Sequence, residues 1–130
     1  MNKTVLIIED DQLLTEVYTK CLLSEGFKVV TAIDAISALK LFKSEPIDLV
    51  ILDIILGDSN GFDLLKKLRR QNGAHTVPVL IVTGLNTDEI GLNKELCVSL
   101  NVIGIYTKSQ FAVAKLVEAV KYGLEKYESA

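Results

Sequence analysis

Two hydrophobic runs in this chain end abruptly in carboxylates. Val5 to Ile8 leads straight into Glu9, Asp10 and Asp11, and Leu49 to Leu52 leads into Asp53. If the two runs lie side by side, Glu9, Asp10 and Asp53 converge. Carboxylates crowded into one crevice repel one another, which raises their pKa values or demands a cation. Mg2+ suits such a site, because it wants hard oxygen ligands and keeps several waters. Beside a cation an aspartate can serve as a nucleophile, so Asp53 is the residue that would react. Two further runs end in useful groups. Val79 to Val82 leads into Thr83 and Gly84, and the run 102–107 leads into Lys108. A hydroxyl at Thr83 can meet a phosphoryl oxygen, with Gly84 leaving room for the group. The Lys108 ammonium can offset charge on the oxygens of a loose phosphoryl-transfer transition state.

The elements that must position these residues alternate regularly. Uninterrupted aliphatic runs of this length predict parallel strands buried on both faces. After the first strand, Leu13, Leu14, Val17, Tyr18, Cys21 and Leu22 recur at helical spacing, and Gly26 ends that helix. A second strand is expected over Lys28–Ala32. Ala35–Ser44 reads as a helix with Leu39 and Phe42 inward, stopped by Pro46. Strand three is expected over 48–53, followed by a loop over 57–61 and a helix marked by Phe62, Leu65 and Leu68. Pro78 opens strand four, where a missing N–H is tolerated. A fourth helix is expected at about 88–100, although Gly91 weakens it. Strand five covers 102–107, and Phe111, Ala114, Val117, Val120 and Leu124 line a fifth helix. Five βα units with short connections predict one α/β domain over 1–130, a doubly wound, flavodoxin-like five-stranded parallel sheet in the order 2-1-3-4-5. Acids past strands one and three then meet at the switch point of the sheet, where such folds bind ligands.

Composition excludes several classes. The chain has 130 residues, 49% of them hydrophobic and 24% charged, which fits one ordinary globular domain rather than a disordered segment. The formal net charge is -3 and no basic run occurs, so direct nucleic-acid binding is not expected. Cys21 and Cys97 lack metal-type spacing and read as buried, reduced thiols of a cytoplasmic protein. No signal-like segment and no long apolar stretch is present, so neither secretion nor membrane insertion is expected.

At this point the chain resembles the CheY-like receiver domains of two-component response regulators. The likeness rests on Glu9 and Asp10 after strand one, residues 53–61 after strand three, Thr83 and Gly84 after strand four, and Thr107 and Lys108 in strand five. Each is weak alone; their joint order is specific. The resemblance implies that Asp53 accepts a phosphoryl group from a histidine kinase or phosphotransfer protein. It implies that Asp10, Asp53 and the Ile55 backbone carbonyl ligate Mg2+ directly, with Glu9 acting through water. Thr83 and Lys108 would sense and bind the phosphoryl oxygens, and Gly61 matches the family's glycine after the phosphorylation loop. No enzyme activity is implied beyond self-catalysed phosphotransfer and dephosphorylation. Phosphorylation would alter a face of helix four, strand five and helix five, bearing Lys94, Lys115, Lys121 and Tyr122, for a downstream protein or a second copy.

Three positions depart from that pattern. Ser109 follows the lysine where receivers usually have proline, and Gly57 replaces a loop proline. The family's switch aromatic lies three residues before the lysine, a position held here by Ile105. Tyr106 is next to it, but neighbouring strand residues face opposite ways, so Tyr106 can substitute only if a bulge intervenes.

Other polar residues have simpler readings. Asp11 is expected to cap the first helix, Asp58 and Asn60 to form solvated turns, His75 to be exposed, and Arg69 and Arg70 to lie on the wet face of helix three. Three alternatives to a phosphoacceptor remain open at this stage. A pseudo-receiver would signal by protein contact without phosphate. Flavin binding would need a Ser/Thr/Gly-rich loop where Glu9, Asp10 and Asp11 stand. A hydrolase using Asp53 would need a substrate lid that nothing here resembles.

Overall fold

A computed structural model describes residues 2–57, 59–71, 77–84, 100–108 and 113–128. Its main elements are β1 (Thr4–Ile8), α1 (Gln12–Ser24), β2 (Lys28–Ala32), α2 (Ala35–Ser44), β3 (Leu49–Leu52), α3 (Gly61–Arg70), β4 (Val79–Thr83), β5 (Val102–Thr107) and a C-terminal helix (Val113–Glu128). The five strands form one sheet in the order β2-β1-β3-β4-β5. Every pairing in it is parallel. This is the expected doubly wound order, and it makes β1 and β3 neighbours. The expected helix at about 88–100 falls outside the described residues, apart from Leu100 at its end. So do Asp58, His75, Lys94, Cys97, Ser109 and Phe111.

Strand alternation sorts the core into two layers. Val5, Ile7, Leu49, Ile51, Leu80 and Val82 pack with Tyr18 and Leu22 of α1 and with Leu116, Val120 and Leu124 of the C-terminal helix. Leu6, Ile8, Val50, Leu52, Val79 and Ile81 pack on the opposite face with Ala38 of α2 and with Leu64, Leu65 and Leu68 of α3. Strands flanked on both faces must be apolar at every position, which is why these runs show no alternation.

Helix starts follow local capping chemistry. Asp11 Oδ1 accepts a hydrogen bond from Leu14 N (3.1 Å) and Asp34 Oδ1 one from Ser37 N (2.8 Å). Asn60 Oδ1 accepts from Phe62 N (2.8 Å), so Asn60 is an N-cap rather than a solvated turn residue. Past the end of α1, Gly26 adopts φ +89°, the left-handed conformation glycine takes without penalty.

Further expectations need correction, and Cys21 is only partly buried. Leu13 (77% exposed) and Val17 (43%) do not face the sheet, where Thr15, Tyr18 and Leu22 are buried instead. On the C-terminal helix Leu116 and Ala119 are buried, whereas Ala114 is exposed. Both helices carry more apolar residues than one stripe can hold, and the sheet covers only one stripe. The loop after β3 contains a short antiparallel ribbon, Ile55–Leu56 with Ser59–Asn60. Arg69 does not lie on a wet face: its Nε donates to Leu100 O (2.7 Å), tying α3 to the entrance of β5.

The β4–β5 pairing contains an irregularity. Val79 pairs with Val102 but Leu80 pairs with Gly104, so Ile103 is the extra residue of a bulge. From Gly104 to Thr107 the register is regular. The bulge therefore lies upstream of the switch position and leaves Ile105 and Tyr106 on opposite faces.

Candidate functional site

The site lies along the carboxyl edge of the sheet, where β1, β3, β4 and β5 end. Glu9 N donates to Ala32 O (3.0 Å) and Asp53 N donates to Ile8 O (3.1 Å), so both acids hang from the last rungs of the sheet. Carboxylate oxygens of Glu9, Asp10 and Asp53 lie within 4.8 Å of one another. Glu9 and Asp53 are buried, whereas Asp10 faces outward.

Lys108 holds this cluster together. Its Nζ lies 2.6 Å from Glu9 Oε1 and 2.8 Å from Asp53 Oδ2. Lys108 N also donates to Thr83 O (2.8 Å), which extends the β4–β5 pairing by one residue and aims the side chain across the edge. Three further oxygens of these acids have backbone partners. Asp53 Oδ1 accepts from Ile55 N (3.0 Å), Glu9 Oε2 from Asp11 N (3.2 Å), and Asp10 Oδ2 from Gly57 N (3.1 Å). Asp10 thereby fastens the loop after β3 to the end of β1.

Burial dominates the electrostatics. It lifts the Glu9 carboxyl to about 7, and the Asp53 charge adds to this, although the Lys108 hydrogen bond pulls the other way. Burial would lower the Lys108 pKa, but hydrogen bonds to Asp53 and Glu9 outweigh it and the value is raised. Tyr18 is pushed up to about 12, mainly by burial, within the fields of Lys108, Glu9 and Asp53. Its helical spacing was legible in sequence; its proximity to the acids was not.

Two glycines shape the loop after β3. A Cβ on Gly61 would lie 2.6 Å from Asp53 O and 2.7 Å from Ile54 Cα, so only glycine lets α3 begin directly against the backbone of the acid. Gly57 adopts φ +58° beside its bond to Asp10.

Thr83 is fully buried at the end of β4, beside the strand that ends in Asp53. Ile55 follows in the ribbon. The structure thus brings Glu9, Asp10, Asp53 and Lys108 into contact range and sets Thr83 and Ile55 next to them. Three carboxylates with hard oxygen donors fit a small divalent cation such as Mg2+. An acid beside an ammonium, with a buried hydroxyl on the neighbouring strand, is an arrangement suited to phosphoryl chemistry.

A five-stranded doubly wound sheet with an acid trio, a threonine and a lysine at its carboxyl edge defines a receiver domain. The chain belongs to the response regulator receiver domain family, whose sequence profile matches residues 5–121. It is 33% identical over 128 residues to regulatory protein VanRc of Enterococcus gallinarum, covering 98% of this chain and 52% of that protein. It is 39% identical over 88 residues to the transcriptional regulatory protein CpxR of Escherichia coli, covering 68% of this chain and 36% of that one. The chain thus spans about half or less of the length of these relatives. Among solved structures, a CheY-like response regulator receiver domain protein from Methanospirillum hungatei superposes with a TM-score of 0.86, at 25% identity over 99% of this chain and 98% of that one. Two-component signalling is therefore the function class. Among the described residues no helix is long and apolar enough to cross a membrane.

Proposed function

We propose that this chain is a Mg2+-dependent phosphoacceptor, with Asp53 as the residue that is phosphorylated. An Asp53 carboxylate oxygen attacks the phosphorus of a phosphohistidine on a histidine kinase or phosphotransfer protein. The P–O bond forms as the P–N bond breaks, and the imidazole leaves. The observation that carries this reading is Lys108 placed 2.8 Å from Asp53 Oδ2 inside a cluster of three carboxylates.

Asp10, Asp53 and the Ile55 carbonyl would hold Mg2+, with Glu9 acting through water. When bound, the ion supplies positive charge to the phosphoryl oxygens. Lys108 follows the transferred group, exchanging a carboxylate partner for a phosphoryl oxygen. Thr83 donates its hydroxyl to another. These contacts exist only after transfer, so they supply the differential energy that shifts the equilibrium between two states of the domain. The altered surface includes β5 and the C-terminal helix, where Tyr122 is 59% exposed and Lys115 is also exposed. A downstream protein or a second copy of the domain would bind there. Beyond its own phosphotransfer and dephosphorylation the domain catalyses nothing.

Incubation with Mg2+ and a small phosphodonor such as acetyl phosphate should add one phosphoryl group to the wild type, read by intact mass. The same addition on Asp53→Asn would sink the assignment.

One observation favours a second reading, a pseudo-receiver that signals by contact alone. The residue three before Lys108 is Ile105, and Tyr106 packs on the opposite face of the sheet. A wild type in which Mg2+ and beryllofluoride leave the amide spectrum unchanged would favour it.

A further inference from the structure

Strand alternation places Val79 and Ile81 of β4, and Ile105 of β5, on the α2/α3 face of the sheet. Two residues further along each strand, Thr83 and Thr107 point to that same face. They are also register partners across the β4–β5 pair. Thr83 is fully buried. Thr107 Oγ1 is buried and has no hydrogen-bond partner among the described residues. Buried hydroxyls are nearly always satisfied, and each exception asks for an explanation.

We propose that Thr107 is the second hydroxyl of the phosphoryl switch, a positioning residue that acts through Thr83. The proposal rests on the phosphoacceptor reading above and deepens it. On phosphorylation the Thr83 O–H turns to a phosphoryl oxygen, and a lone pair on Thr83 Oγ1 becomes available to accept. Thr107 O–H donates to it, completing a chain from phosphoryl oxygen to Thr83 to Thr107. Register partners on adjacent strands stand side by side on one face, and each bond in a chain polarises the next. The Thr107 hydroxyl is left unsatisfied in the resting state and is satisfied in the phosphorylated one, so it favours the latter. Where related domains use an aromatic residue behind the threonine, this chain has Ile105 and, two residues on, a hydroxyl.

The test uses the whole chain and beryllofluoride with saturating Mg2+, a stable mimic of a phosphoryl group on an aspartate. Binding is followed by amide chemical shifts in the wild type, Thr107→Val and Thr107→Ser. Valine copies the shape of threonine without the hydroxyl; serine keeps the hydroxyl. Thr107→Val should bind beryllofluoride about three- to tenfold more weakly, the worth of one hydrogen bond, with unchanged Mg2+ affinity. Its resistance to urea without ligand should equal or exceed that of the wild type, because the hydroxyl it lacks is unpartnered at rest. Thr107→Ser should bind within about twofold of the wild type. Wild-type affinity in Thr107→Val, equal losses in both variants, or a Thr107→Val chain that fails to fold would each overturn the proposal. A wild type that binds no beryllofluoride would overturn it together with the phosphoacceptor reading, which separates the two failures.

Discussion

Ile105 and Tyr106 are consecutive residues of β5, yet they pack into different cores. Ile105 lies against the α2/α3 layer and Tyr106 against the layer of α1 and the C-terminal helix. The aromatic that receiver domains carry on the first face is on the second one here. Gly104 leaves room for the ring there, because a Cβ on it would lie 2.8 Å from the Tyr106 ring. The ring folds back along its own strand over the glycine.

That contact can be measured as a coupling. Gly104→Ala should destabilise the domain by about 1–3 kcal/mol through overpacking. In a Tyr106→Ala background the same substitution should be nearly neutral, since the ring it displaces is gone. A urea-denaturation double-mutant cycle should therefore give a coupling of about 1 kcal/mol or more. Additive losses would mean that the ring does not lie over Gly104.

Glu9 predicts the sign of a pH dependence. Its pKa is raised from 4.5 to about 7 by burial, so the folded, metal-free protein keeps a proton that the unfolded chain releases. The stabilisation is complete below about pH 4.5 and is lost as pH rises through about 7. Lys108 is charged in both states over this range and adds no slope. In metal-free buffer the melting temperature should fall by a few degrees, on the order expected for about 1 kcal/mol, between pH 5 and pH 8. Glu9→Gln should flatten the profile. A wild-type midpoint that rises over this interval would contradict the assignment.

Lys108 holds Glu9 and Asp53 oxygens that a bound Mg2+ would also draw on. Lys108→Ala leaves the Glu9 and Asp53 carboxylates without their cation, so the metal-free protein should melt below the wild type. Mg2+ should then raise the melting temperature of the variant by more than it raises that of the wild type, because the ion no longer displaces an ammonium. Equal Mg2+-induced shifts, read by thermal melts at matched ionic strength, would show that Lys108 does not oppose the metal.

Gly61 should tolerate no side chain. The atoms that a Cβ would meet belong to the backbone of Asp53 and Ile54, which cannot rotate away as a side chain can. Gly61→Ala should destabilise by about 2 kcal/mol or more and weaken Mg2+ binding in the surviving folded fraction. Calorimetric titration with Mg2+ checks the second effect; wild-type affinity would mean that the loop relaxes without moving the acid.

Amino-acid sequence alone determined the five strands, the four described helices around them and the set of groups at the strand ends. Those signals are local: an unbroken apolar run, a cap residue three positions from a free N–H, a glycine past a helix. They sufficed to place Glu9, Asp10, Asp53, Thr83 and Lys108 at one edge, because parallel strands all end on the same side. Tertiary structure decided what depends on pairs distant in the chain. Lys108 bridges two acids, one of them 55 positions away. Arg69 reaches residues 31 positions on. Leu13 and Val17 share the composition of a core stripe but not its place, since which stripe a sheet covers depends on the helix's rotation against it. The bulge at Ile103 and the unpartnered hydroxyl of Thr107 belong to the same class. Strand register is a relation between two segments, and neither segment carries it by itself.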